Sequence, residues 1–133
     1  MRPLILLPLL PLLLALGGCL KDETVSAYGG AGKIWKLQDI GGQTVAWPAT
    51  LEFPARGQIA GTAPCNSYTA SMNTPYPWFE IRDLVTTKRT CPAQAAETRF
   101  LAALGAATLV EVSGNVLILS GNGTAEMVFS AGG

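Results

Sequence analysis

The residues best suited to chemistry are three cysteines, Cys19, Cys65 and Cys91, in a 133-residue chain with no histidine. Without an imidazole there is no Ser-His or Cys-His nucleophile, no imidazole metal site and no switch near neutral pH. Cys65 and Cys91 are not spaced as Cys-x-x-Cys, and two thiols alone cannot close a zinc site. From the residues alone they are either a disulfide or two buried free thiols. Asn66, beside Cys65, has no base nearby and reads as a turn residue whose amide bonds local backbone. Glu80, Asp83, Glu97 and Glu111 are scattered, and no spacing pairs two of them for acid–base work. No catalytic residue, metal ligand or cofactor site is therefore assigned, and an enzyme is not expected. Tyr68, Tyr76, Trp78 and Phe79 gather around Thr74-Pro75-Tyr76-Pro77. Tyr68, Tyr76 and Trp78 form a candidate contact surface; the competing reading packs these rings over an open end of a sheet. If that stretch is extended, Trp78 and Phe79 face opposite sides. Lys88 and Arg89 read as a small basic spot on a solvated loop. Nine Lys and Arg balance nine Asp and Glu, which excludes an electrostatic nucleic-acid binder. A hydrophobic share of 49% excludes a charge-driven disordered chain.

Those residues sit behind an N-terminus with its own logic. Positions 4–16 read LILLPLLPLLLAL, with Arg2 before them and Gly17-Gly18-Cys19 after. One basic residue, a short apolar run and small residues is the layout of a secretory signal. As a helix the run would reach about 20 Å, short of the ~30 Å hydrocarbon core, and Pro8 and Pro11 break it. Leu16-Gly17-Gly18-Cys19 resembles the bacterial lipobox. The resemblance implies cleavage before Cys19, acylation of Cys19, and a membrane partnership through that covalent lipid. Leu20 stands where enterobacterial lipoproteins carry the Asp of inner-membrane retention, so the expected address is the outer membrane, periplasmic face. There disulfides persist, and with Cys19 consumed by lipid, Cys65 and Cys91 are expected to pair. Residues 20–32, LKDETVSAYGGAG, have no period and read as a flexible tether. The expected organisation is a signal over 1–18, a lipidated N-terminus and tether over 19–32, and one domain over 33–130.

The elements that must position these groups are short. Apolar stretches at 33–40, 50–53, 58–61, 67–73 and 78–82 are cut by Gly and Pro, with Pro54 stopping the second. Gly114-Asn115 and Gly121-Asn122-Gly123 divide the strands 109–113, 116–120 and 125–130 into a meander. Residues 92–105, PAQAAETRFLAALG, break the alternation. Ala93, Ala96, Glu97, Phe100, Leu101 and Leu104 recur at three- and four-residue steps, predicting a helix packed through one stripe. The fold class is α+β, mainly antiparallel β: a curved sheet or partial barrel with one packed α-helix.

The assembled pieces resemble the META domain (HslJ-like) family, from Lys33 to Phe129. They are Trp35-x-Leu37, Leu51-x-Phe53, Gly61-Thr-Ala-Pro-Cys65-Asn66 with Tyr68, Thr87-Lys88-Arg89-Thr90-Cys91, the helix residues Glu97, Phe100 and Leu104, and Leu117-x-Leu119. Pro64 departs from the family's usual Gly, and Arg89-Thr90 from its Met-Ala. The resemblance implies about eight antiparallel strands wrapped partly around one helix and no established catalytic activity. The function expected is a non-catalytic binding or structural role in the cell envelope, in stress or assembly, with an envelope protein as partner. The alternative is a carrier of a small apolar ligand within the curved sheet.

Overall fold

The computed structural model describes residues 3, 4, 8 and 21–132. Residues 16–19, which resemble a lipobox, lie outside them. Alternation along Trp35-Lys36-Leu37 makes β1 (Trp35–Ile40) and turns Trp35 and Leu37 inward. A register shift against the last strand, between Leu37 and Asp39, then breaks the two-residue period. Ile40 is buried as a result, and Asp39 is not. Gly41 and Gly42, at φ 61° and 79°, supply the two left-handed positions of a tight turn. That turn folds β2 (Gln43–Thr44) back on Asp39 and Ile40.

The chain continues through β3 (Thr50–Ala55), β4 (Gln58–Thr62), β5 (Ser67–Met72), β6 (Ile81–Thr86), α1 (Gln94–Ala106), β7 (Leu109–Ser113), β8 (Val116–Ser120) and β9 (Met127–Ser130). Every pairing is antiparallel. The strands run in one sheet in the order β6-β5-β4-β3-β1-β9-β8-β7, with β2 beside β1. The sheet curls, and its two edges approach at one rim. There Trp78 bridges to Leu109. Phe79 N–H donates to Thr108 O at 2.9 Å, and Val110 N–H to Pro77 O at 2.8 Å. This is the expected α+β half-barrel with one helix. Pro54 does not stop β3: it sits where the β3–β4 register shifts, so the ladder loses little from its missing N–H. The strand expected over 78–82 lies instead at Ile81–Thr86.

The interior is full. Trp35, Tyr68, Phe79, Phe100, Phe129, Leu51, Ile59, Leu104, Leu117 and Leu119 are all essentially sealed from solvent. The Tyr68 and Trp47 rings meet Phe100 at centroid separations of 5.8 and 6.5 Å.

The fold has two distinct ends. The β3–β4 turn at Arg56-Gly57 and the β5–β6 connection at 73–80 share one end. The β4–β5 connection at 63–66 and the segment leading into α1 share the other. Helix α1 runs between them.

The flexible tether expected over 20–32 is corrected for its described part. Val25–Tyr28 form a 3-10 turn, and Val25 is fully buried in the core. Tyr28 stacks on Tyr76 at 4.7 Å and 7°, and Tyr76 N–H donates to Glu23 O at 2.7 Å. Trp35 Nε1 donates to Gly30 O at 2.9 Å, and Arg56 to Lys21 O at 3.2 Å. A small-residue composition reads as coil until one buried valine and a run of backbone hydrogen bonds hold it.

Candidate functional site

The β4–β5 connection and the start of α1 converge on Cys65, Asn66, Cys91 and Glu97. Cys65 and Cys91 are joined, with Cα atoms 5.6 Å apart across 26 positions. Asn66 is buried, and its amide is fully used. Nδ2 donates to Arg89 O at 2.9 Å and to Glu97 Oε2 at 2.7 Å. Oδ1 accepts from Arg89 N–H at 2.6 Å and from the Thr87 hydroxyl at 2.9 Å. Two donors and two lone pairs are all that a carboxamide has. The amide thus pairs with the Arg89 backbone as a strand neighbour would, 23 positions away. The expectation that it bonds only local backbone is corrected accordingly.

Glu97 is 3% exposed on the first turn of α1. Oε1 accepts the backbone N–H groups of Cys65 and Asn66 at 3.0 and 2.8 Å. Oε2 accepts from Asn66 and, more weakly, from Gln94 at 3.4 Å. Burial pushes this carboxyl up, but the donors from Asn66, Cys65 and Gln94 outweigh it and hold it below its ordinary 4.5. The N-terminal end of a helix also favours the negative charge. A deprotonated Glu97 therefore clasps the Cys65-Asn66 backbone to α1 beside the disulfide.

Gly61 belongs to the same motif for a steric reason. A Cβ there would come within 2.1 Å of Thr50 O and 2.7 Å of the Tyr68 hydroxyl. Its absence lets the Tyr68 hydroxyl donate to Thr50 O. Burial, then the Glu52 charge, push the Tyr68 phenol well above its ordinary range, so it stays a neutral donor.

The candidate contact residues separate. Tyr68 is 2% exposed and leaves the surface set, because its ring fills the core against Phe100. Tyr76 is half-buried, stacked on Tyr28, and its hydroxyl accepts Val112 N–H at 3.2 Å. Trp78 alone remains open, at 57% exposure. Phe79 beside it is buried, as alternation requires. Trp78 overlooks a mainly apolar groove of about 440 Å³ lined by Thr74, Phe79, Glu80 and residues 105–108 at the end of α1. Glu97 is the clasp member that sequence reasoning left unpaired. Its signal was present: an acid standing on the apolar stripe with Phe100 and Leu104. Among the described residues no three His, Cys, Asp or Glu side chains gather as a metal site.

A small, curled antiparallel domain with a disulfide-linked Cys-Asn loop and a glutamate-led helix is the class that this geometry defines. The META domain model matches residues 30–132, and the chain belongs to the META domain family. Three solved chains share the fold, and two of them are from named bacteria. One is the NMR structure of a protein from Burkholderia xenovorans, with TM-score 0.63 and 20% identity, covering 81% of this chain and 87% of that one. The other is the crystal structure of a DUF4847 family protein from Bacteroides vulgatus, with TM-score 0.61 and 18% identity, covering 80% and 96%. No curated protein matches the chain.

Proposed function

We propose that the protein is an outer-membrane-anchored periplasmic lipoprotein whose META domain has a non-catalytic binding or structural role in the cell envelope, with an envelope protein as partner. The observation that carries this is the Cys65–Cys91 disulfide. A structural disulfide fits an oxidising compartment, and the lipobox ending at Cys19 supplies the route to it. The polar groups of the site serve the fold: Asn66 spends its whole amide on the Arg89 backbone, the Thr87 hydroxyl and Glu97, and Glu97 holds the Cys65 loop. The carrier alternative needs an empty concave side, whereas the rings of Trp35, Tyr68 and Phe100 fill it.

The anchor is tested with Cys19→Ala, labelled palmitate and membrane fractionation. The parent is expected to take up label and sediment with outer membranes, and the variant to do neither. Equal label in both removes the lipoprotein reading.

A further inference from the structure

The packing of residues 21–30 changes what an acylated Cys19 would do to this domain. Lys21 O accepts a hydrogen bond from Arg56, and Lys21, Glu23, Arg56 and Pro75 line one surface depression. The packed domain thus includes Lys21, two residues after Cys19. Two residues span at most about 7 Å, comparable to one headgroup layer. A domain held on so short a leash cannot roam above the bilayer; the end carrying Lys21 must rest on it.

That end also carries Trp78. Tyr76 N–H bonds Glu23 O, Trp78 N–H bonds Pro75 O at 2.8 Å, and the Thr74 hydroxyl bonds Trp78 O at 3.2 Å. The exposed indole therefore stands on the loop that packs on Glu23, close in sequence to Cys19. Tyr28, at 49% exposure, and Leu109, at 37%, flank it on the same rim. Charges nearby cancel: Lys21, Arg56 and Arg82 against Asp22, Glu23 and Glu80. Amphipathic indole and phenol rings with no net charge suit the zwitterionic headgroup layer.

We propose that this rim is a bilayer-docking face, with Trp78 seated in the headgroup region of the membrane that holds the Cys19 lipid and the disulfide clasp turned away from it. The proposal rests on the lipoprotein reading above. Its test uses the full acylated protein, purified from membranes and reconstituted in phosphatidylethanolamine vesicles with brominated phosphatidylcholine. Trp35 is buried and Trp47 is half-buried against Phe100, so the difference between the parent and a Trp78→Phe variant isolates the signal of the exposed indole. Bromolipid is expected to quench the parent's emission, and Trp78→Phe to lose that quenchable component. The component should persist in high salt, since no net charge drives docking. Lys88→Trp in the Trp78→Phe background places an indole at the clasp end, where no quenching is expected. Mass spectrometry of the N-terminal peptide reports acylation separately. Acylated protein without Trp78-dependent quenching overturns the docking face and leaves the rim for a protein partner. Quenching of the Lys88→Trp variant equal to the parent's overturns the orientation. An unacylated Cys19 removes the lipoprotein reading itself.

Discussion

Glu97 is a carboxylate sealed from water and held by neutral N–H groups from Cys65, Asn66 and Gln94. Its folded value lies below the ordinary 4.5. The stabilisation it gives is therefore complete above the unfolded value and lost as pH falls through the folded one. Melting temperature should hold from neutral to about pH 5 and decline below about pH 4. Glu97→Gln should cost about 1–3 kcal/mol at pH 7, because its amide turns a donor toward donors. The same variant should flatten the acid limb, read by thermal melts across pH. Asp22, lowered by the Thr24 hydroxyl, titrates in the same sense and leaves a residual slope. An acid limb as steep in Glu97→Gln as in the parent would show that this carboxylate is not the group responsible. The cysteine pair could be read ahead of the structure because the resemblance of Leu16–Cys19 to a lipobox implies an oxidising address, which would leave two thiols little else to do. Glu97 could be placed on its helix face but not joined to Asn66. That contact crosses 31 positions, and no local period encodes it.

Helix α1 was the most legible element, since a three-four period is a long signal in a chain of short ones. Phe100 and Leu104 are fully buried and Leu101 partly so, as the stripe requires. Phe100→Ala and Leu104→Ala should each cost about 2–5 kcal/mol, whereas Thr98→Ala, on the exposed side, should change little. Denaturant melts that rank the three alike would move the packing face. Strand β6 was misplaced because four of its six residues are exposed in succession, so no alternation marks it. Its pairing with β5 and the left-handed Asp83 at φ 55° come from tertiary context. The disulfide and Glu97 both tie 63–66 to the start of α1. Closing a loop of this length is worth about 3.5 kcal/mol in the chain-entropy model. A Cys65→Ser/Cys91→Ser variant should lose that much by equilibrium unfolding. Stability equal to the parent would leave the bond without a structural role.

At the scale of the whole molecule, the domain is larger than the sequence suggested, because the stretch before Lys33 is part of it. Val25→Ala should cost about 1.5–3 kcal/mol, the worth of burying such a side chain. If 21–32 only spanned a gap, the melt would not move. A lone valine among small and polar residues carries no period, so sequence alone could not assign it to the core. Architecture fared better than boundaries because turn residues and alternation repeat along the chain, whereas Val25 occurs once. The central pairing of the sheet, β1 with β9, has a consequence in time. Lys36 lies opposite Ser130 and Leu37 opposite Phe129, so the first long strand waits for the last strand of the domain. Until Met127–Ser130 emerge, β1 and β8 each present an unpaired edge, and Phe129 is missing from the core. Such distant closure slows folding relative to local pairing. A chain threaded through a narrow channel from its N-terminus would stay unfolded, and so threadable, until Met127–Ser130 had passed. The same delay leaves those edges open to joining other chains, which makes the final four-residue strand both the lock of the sheet and its guard against aggregation.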